Sequence, residues 1–313
     1  MRNQGEVFVA ALLSCLLAAV ATAVEPAASG PEAVTVDEAY PNLASGALVF
    51  ATLAELPQGR IVQAGPLSIT QDDLAAEMGK TPEPDRTELM RNQFFVLEQL
   101  ATRGLLLQLG RAQATRNDDE ATTRTERRVI GDYLDQVASE VSVTDEDVSA
   151  FYEENKEMCG GATLEQVKIG LKEYVLQQKQ EEAVTEHIRT LGRRLPIQVS
   201  SSWVKEQSVS AMDNPVDKVR QSGRPSLVDF GSVGCGPCDM MAPILETLAE
   251  KYEGKANVQF VHVGEQQILA ARYGIQTIPV QVFFDKTGKE VYRHTGFFPQ
   301  EEIEKRMAQM GVQ

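Results

Sequence analysis

The sequence predicts a two-part chain: a small α/β sheet domain over residues 215–313, preceded by a mostly α-helical domain over residues 46–204. Three observations carry that expectation. After Pro215, short apolar runs alternate with helical patterns, as a sheet packed against helices requires. Between Arg86 and Leu191, apolar residues recur at spacings of three and four, the period of an amphipathic helix. The stretch Ser226–Pro243, SLVDFGSVGCGPCDMMAP, runs a strand into a loop that delivers two cysteines at the start of a helical pattern.

At 313 residues the chain has room for two domains, and its 42% hydrophobic and 24% charged residues are globular values. Thirty Lys and Arg against 45 Asp and Glu leave a net charge of −15, which argues against a nucleic-acid partner and predicts repulsion from anionic lipid. Residues 1–23 read as a secretory signal: Arg2, an apolar run from Val7 to Val20, and a small-residue cleavage site at Ala21-Thr22-Ala23. The run is short for a membrane span, and polar sequence follows it. Two rival readings are an uncleaved anchor and a lipoprotein signal at Leu12-Leu13-Ser14-Cys15. Cleavage after Ala23 places the mature protein in the periplasm or otherwise outside the cytoplasm. It removes Cys15 and leaves Cys159, Cys235 and Cys238, a pair plus one odd thiol rather than a disulfide framework.

Residues 24–45, rich in Ala, Pro, Glu and Gly, are expected to be a flexible lead-in. Apolar runs at Ala47–Leu53 and Arg60–Ala64 read as strands around a turn at Leu56-Pro57-Gln58-Gly59. Thr70 reads as a helix N-cap followed by acidic residues. One long helix is expected from Arg86 to about Thr115, a second over Ala121–Val141, and a third capped by Thr144. Met158–Ala162 is a loop, Thr163–Leu191 a long helix stopped by Gly192, and Leu195–Val199 a closing strand. Residues 205–214 are polar and read as a linker.

Leu97-Glu98-Gln99-Leu100 through Leu105-Leu106-Leu107-Gln108, then Val143-Thr144-Asp145-Glu146-Asp147 before Phe151–Lys156, resemble the N-terminal chaperone domain of SurA-type proteins and parvulin-type prolyl isomerases. In that family an isomerase module follows such a segment. Here only a few residues around Cys159 stand in its place, so the resemblance implies a chaperone-like domain without the isomerase.

The C-terminal elements follow in turn: a helix over Pro215–Gln221, strand Leu227–Phe230, a helix through Met241, Ile244, Leu245 and Leu248, strand Val258–Val263, helix Gln266–Tyr273, strand Val280–Phe284, a turn at Lys286–Lys289 into Glu290–His294, and helix Pro299–Met310. Two cysteines two residues apart at a helix N-terminus make a redox pair. The amide dipoles favour negative charge there, so Cys235 ionises readily and attacks, while Cys238, one turn in, resolves the mixed disulfide. Gly236 permits the tight backbone, and Pro237 suits a first turn in which no N–H partner is needed. A zinc site would need further ligands, and Cys159 and His262 fall in other elements. Asp229 stands in an otherwise apolar strand six residues before Cys235, where a buried carboxylate would have a raised pKa and could take the proton of Cys238. The plainer alternative is an Asp that ends a strand.

Leu227–Phe230, Cys235–Cys238, Met241–Leu245, Tyr273-Gly274-Ile275, Ile278-Pro279 and Gly296 together closely resemble thioredoxin over about Pro215 to Gly311. That resemblance implies a thioredoxin fold, a buried acid at Asp229, and a cis-proline at Pro279 facing the cysteines, with the backbone at Ile278 pairing with substrate beside Gly236 and Pro237. No cofactor is implied. Three positions depart from the family: Gly234 and Gly231 stand where aromatics are common, and Phe260 matches the lysine that partners the acid.

The reading that follows is an exported protein-disulfide reductase or isomerase. Its substrates would be disulfide-containing or partly folded exported proteins, and a membrane thiol partner would supply electrons. A chaperone that uses the C-terminal domain as a binding platform, and an assembly factor dedicated to one cytochrome apoprotein, are the alternatives. Cys159 is read as a free loop thiol or as a third redox thiol.

Overall fold

The computed structural model describes residues 33–83, 85–117 and 125–313. The expected signal segment and residues 24–32 lie outside the described residues. No described helix is long and apolar enough to cross a membrane.

Part of the expected lead-in is structured. Thr35 caps the short helix α1 (Val36–Ala39) through a reciprocal box with Glu38, and Val36, Leu43 and Ala44 are buried in the core. The chain then enters β1 (Thr52–Ala54), β2 (Arg60–Ala64) and β3 (Leu67–Thr70). β2 and β3 form an antiparallel hairpin that turns at Gly65. β1 does not pair with β2 across Pro57; its partner is a distant strand, so the expected turn there is a connection and not a hairpin. Thr70 ends β3 and caps α2 (Gln71–Met78), its hydroxyl accepting from the Asp73 amide at 3.2 Å.

The long helix expected from Arg86 is two helices, α3 (Asp85–Arg91) and α4 (Gln93–Asn117). Asn92 explains the break: its side-chain amide donates to the Glu88 carbonyl at 3.1 Å, taking the acceptor that the helical ladder would use. Gly104 sits inside α4 because a Cβ there would lie 2.8 Å from Leu67 Cδ1, so its absence lets the β2–β3 hairpin approach. Glu98, almost fully buried on α4, accepts from the Ser45 amide at 2.9 Å and the Leu48 amide at 3.2 Å, tying the 45–48 turn to the helix. Burial raises its pKa and those donors work against the rise.

Helix α5 (Glu126–Ser139) packs on α4 and on the long α7 (Leu164–Arg189), which also carries α6 (Asp145–Glu154). Thr144 caps α6 as expected. Cys159 ends a 3₁₀ turn, Lys156–Cys159, that precedes α7. α8 (Leu191–Arg194) and β4 (Gln198–Ser200) bring the chain back to the first sheet, where β4 lies parallel to β1 and antiparallel to β2 in the order β1-β4-β2-β3. This half is mostly helical, as expected, and its four short strands join into one sheet. Helix α9 (Ser201–Ala211) follows without a gap, and Trp203, Val204 and Ala211 are buried. The expected linker is thus mostly helix, anchored where Ala211 is buried in the first core and Met212 packs against it.

The second sheet has the order β6-β5-β7-β8, built from β5 (Ser226–Gly231), β6 (Asn257–His262), β7 (Val280–Phe284) and β8 (Glu290–Thr295). Helices α10 (Pro215–Arg220) and α12 (Gln267–Arg272) contribute Val216 and Leu269 to one face. Helices α11 (Gly236–Lys251) and α13 (Gln300–Gln309) cover the other with Met241, Leu248 and Ile303.

Residues 34–313 form one compact unit. A buried polar cluster crosses between its halves. Asp217, fully buried, accepts from Arg220 Nη1 at 2.8 Å, Tyr273 Oη at 3.0 Å and Asn214 Nδ2 at 2.6 Å, and pairs with Arg272 Nη2 at 3.2 Å. Arg272 then donates to the carbonyls of Ala211 and Asn42, both at 2.7 Å, and so reaches into the N-terminal half.

Candidate active site

The site is assembled at the end of β5. All six residues of that strand are buried, and side chains alternate between its faces. Val228 and Phe230 join the core shared with Val216, Leu269 and Tyr273, while Leu227 packs with Met241, Leu245 and Leu248 of α11. Asp229 shares Leu227's face, so the pleat turns its carboxylate toward α11 rather than leaving it at a strand end.

Cys235 occupies the N-cap of α11 with extended backbone, Gly236 and Pro237 open the helix, and Cys238 lies in its first turn. The two cysteines are disulfide-bonded, with Cα atoms 5.2 Å apart. Cys235 is half-buried and Cys238 buried, as an attacking and a resolving sulfur require. Gly234 holds φ of +81°, in the left-handed region, and its amide donates to Asp239 Oδ1 at 3.3 Å, which fixes the loop onto the helix start.

Asp229 Oδ1 accepts from Gln281 Nε2 at 2.7 Å, while Oδ2 has no protein partner. A Cβ on Gly231 would lie 3.4 Å from Oδ2, 3.5 Å from Cys238 Cβ and 2.9 Å from Phe260 Cε2. The free oxygen and the buried cysteine therefore border one small gap, and Phe260 closes its outer side. Burial pushes the Asp229 pKa up to about 6, against the lowering effect of the Gln281 hydrogen bond.

An acid whose pKa rises from 3.8 to about 6 on folding costs no stability well below pH 3.8, a growing amount between pH 3.8 and about 6, and a constant amount above that. At pH 7 that cost is about 2 to 3 kcal/mol. Asp229→Asn keeps an acceptor for Gln281 and removes the charge. It is expected to raise the urea midpoint at pH 7.5 and to leave it nearly unchanged at pH 4; an equal change at both pH values would overturn the assignment.

The Ile278–Pro279 peptide is cis, and Pro279 is buried at the head of β7. Because Val280 pairs with Phe230, Pro279 lies at the sheet end from which the Cys235 loop departs. Ile278 is half-buried. The structure thus gathers Asp229, Cys235, Gly236, Pro237 and Cys238 around the start of α11, with Ile278 and Pro279 at the same end of the sheet. Cys159 stays in the N-terminal half, where its thiol donates to the Asn155 carbonyl at 3.7 Å. Among the described residues no group of three or more His, Cys, Asp or Glu is placed to hold a metal ion.

Sequence reasoning missed Gln281. Its signal was a lone amide in the apolar run Val280–Phe284, but only the β5–β7 register, which pairs it with Asp229, gives that amide a meaning.

The family model described as Thioredoxin matches residues 207–309. Thioredoxins of Staphylococcus saprophyticus and Staphylococcus aureus are each 42% identical over 95 residues, spanning 30% of this chain and 89% of the relative. Among solved structures, a thioredoxin from Nicotiana alata is 30% identical, over 30% of this chain and 80% of its own length, with a TM-score of 0.27.

Proposed function

The chain belongs to the thioredoxin family through its C-terminal domain, and on that premise we propose that it is an exported protein-disulfide reductase or isomerase. The observation that carries the reading is the half-exposed Cys235 at a helix N-cap, bonded to a buried Cys238 that borders an unpartnered carboxylate oxygen. In the reduced protein, the amide groups opening α11 supply about half a unit of positive charge and stabilise the Cys235 thiolate. That thiolate attacks a substrate disulfide and expels one substrate sulfur. Cys238 then gives its proton to Asp229 and attacks Cys235, which restores the disulfide present in the structure and releases the second substrate sulfur.

Two further parts of the reading rest on sequence. Export is supported by the apolar run Val7–Val20 ahead of Ala21-Thr22-Ala23, and it calls for a membrane thiol partner as electron source. A substrate-holding role for the N-terminal half, on disulfide-containing or partly folded exported proteins, is supported by the resemblance of its helices to SurA-type chaperones. The second reading, a binding platform with little turnover, is favoured by glycines at 231 and 234 and by Phe260 at the lysine position.

The test is the chain recovered from outside the cytoplasm, its amino terminus sequenced and its dithiothreitol-driven reduction of insulin followed by turbidity. A terminus at Val24 and precipitation well ahead of dithiothreitol alone are expected. A chain found only in the cytoplasm sinks the export reading, an intact terminus outside it replaces cleavage with an uncleaved anchor, and turbidity no faster than the reagent leaves the platform reading.

A further inference from the structure

Asp229 is surrounded by groups without charge. β6 brings Phe260 alongside it in register, β7 brings Gln281, and α11 brings Cys238. Two other titratable groups stand near this end of the sheet, and both are engaged with the loop: His262 Nε2 lies 3.5 Å from the Val233 amide, and Asp239 accepts from Gly234. The position that would carry a lysine holds an aromatic ring. In the disulfide form, burial raises the Asp229 pKa and the Gln281 hydrogen bond lowers it.

A carboxylate alone in such a site faces two problems. Its charge is unfavourable there, and its two oxygens exchange places by rotation about χ2, a soft torsion. The amide of Gln281 addresses both. Gln281 and Asp229 are fully buried, and the 2.7 Å bond from Nε2 pins Oδ1 on the β7 side. Oδ2 is then the oxygen that borders Cys238. A donor to a carboxylate oxygen also favours the ionised form, which is the form able to accept a proton.

We propose that Gln281 is the positioning residue of the resolving step, holding Asp229 ionised and turned so that Oδ2 takes the Cys238 proton. The inference rests on the disulfide-exchange reading of the site. In the step itself, the Cys238 S–H bond breaks and its proton passes to Oδ2, directly or through one water. The freed sulfur pair forms the bond to Cys235 Sγ. The bond between Cys235 and the substrate sulfur breaks, its electron pair leaves on that sulfur, and the resulting thiolate takes a proton from solvent. One disulfide forms as one breaks, and no external oxidant is needed. Gln281 touches none of the reacting atoms and acts only through Asp229.

The test compares wild type with Gln281→Leu and the nearly isosteric Gln281→Met, all as the chain from Val24 with its cysteines reduced. The first readout is the carboxyl carbon resonance of Asp229 in protein labelled at aspartate, followed from pH 4 to 9. Both variants are expected to titrate about one unit higher than wild type, since a hydrogen bond to the charged form has been removed. The second is single-turnover reduction of a disulfide peptide. Resolution of the mixed disulfide at pH 6.5 should slow about threefold, as the ionised share of Asp229 falls from about three quarters to about one quarter. The first attack, measured in a Cys238→Ser background, should change less than twofold. An unmoved Asp229 titration overturns the proposal even if exchange persists. Loss of exchange in wild type itself strikes the underlying reading instead, which the resonance measurement does not need. If Gln281→Leu unfolds, Gln281→Met and the Asp229→Asn background carry the test. In that background, replacing Gln281 should leave the pH dependence of resolution untouched, and a further shift would also overturn the proposal.

Discussion

Cys235→Ser is expected to abolish insulin reduction, to the rate of dithiothreitol alone, and Cys238→Ser to stop after the first half of the exchange with substrate still attached. A serine hydroxyl at the N-cap of α11 is not ionised at neutral pH, and oxygen does not take part in disulfide exchange, so a loss of at least about 1000-fold is expected in the first variant. In the second, the mixed disulfide on Cys235 has no internal thiol to resolve it, because Cys159 lies in the other half of the chain. Non-reducing electrophoresis and intact mass should detect a stoichiometric adduct on Cys238→Ser and none on Cys235→Ser. On the substrate-holding role proposed for the N-terminal half, Cys235→Ser and wild type should slow the aggregation of an unfolded protein equally. Residual catalysis by Cys235→Ser would move the nucleophile elsewhere, and a Cys238→Ser variant that still turns over would remove the resolving role from Cys238.

Asp217→Ala is expected to destabilise the folded chain by about 3 to 5 kcal/mol, because it strands cations that were buried against a carboxylate. Arg220 and Arg272 are both nearly inaccessible and share this one acid, and the Tyr273 hydroxyl and Asn214 amide lose their acceptor with it. Water does not readily replace the carboxylate in so closed a place. Urea unfolding followed by circular dichroism should give a lower midpoint with an unchanged slope. Asp217→Leu combined with Arg272→Leu should cost less than the two single changes summed, the sign of a shared interaction. A cost below about 1 kcal/mol for Asp217→Ala would mean that the cluster contributes little net stability.

The C-terminal half was legible almost residue by residue, and the reason is local. Val280–Phe284 is an apolar run of strand length bounded by proline and a turn, and the structure begins and ends the strand at those residues. Thr70 and Thr144 were readable as caps because a cap is a bond between residues three apart. What escaped depends on partners far along the chain. The runs around β1 and β4 read as short strands, but nothing local says that these two pair with each other. The segment from Val36 to Ala44 looks featureless until the core that buries it is known. Asp229 announced itself as a charge in an apolar strand, whereas Gln281 needed a register to become its partner. The thioredoxin resemblance covers the C-terminal half; how the strands of the N-terminal half pair had to come from the structure.

The Phe260 ring lies where any side chain on residue 231 would begin, 2.9 Å from the Cβ that Gly231 lacks. Residues 231 and 260 are therefore one choice made at two places in the chain. Enlarging 231 while Phe260 remains forces the ring out toward solvent and uncovers the gap beside Asp229 and Cys238. Shortening 260 first only opens a space. Substitutions at this pair thus have a permitted order, and a lineage exchanging this arrangement for an aromatic at 231 with a lysine at 260 passes more easily through the change at 260. The same asymmetry faces anyone redesigning the substrate surface of this domain: position 231 becomes available only after position 260 has been cleared.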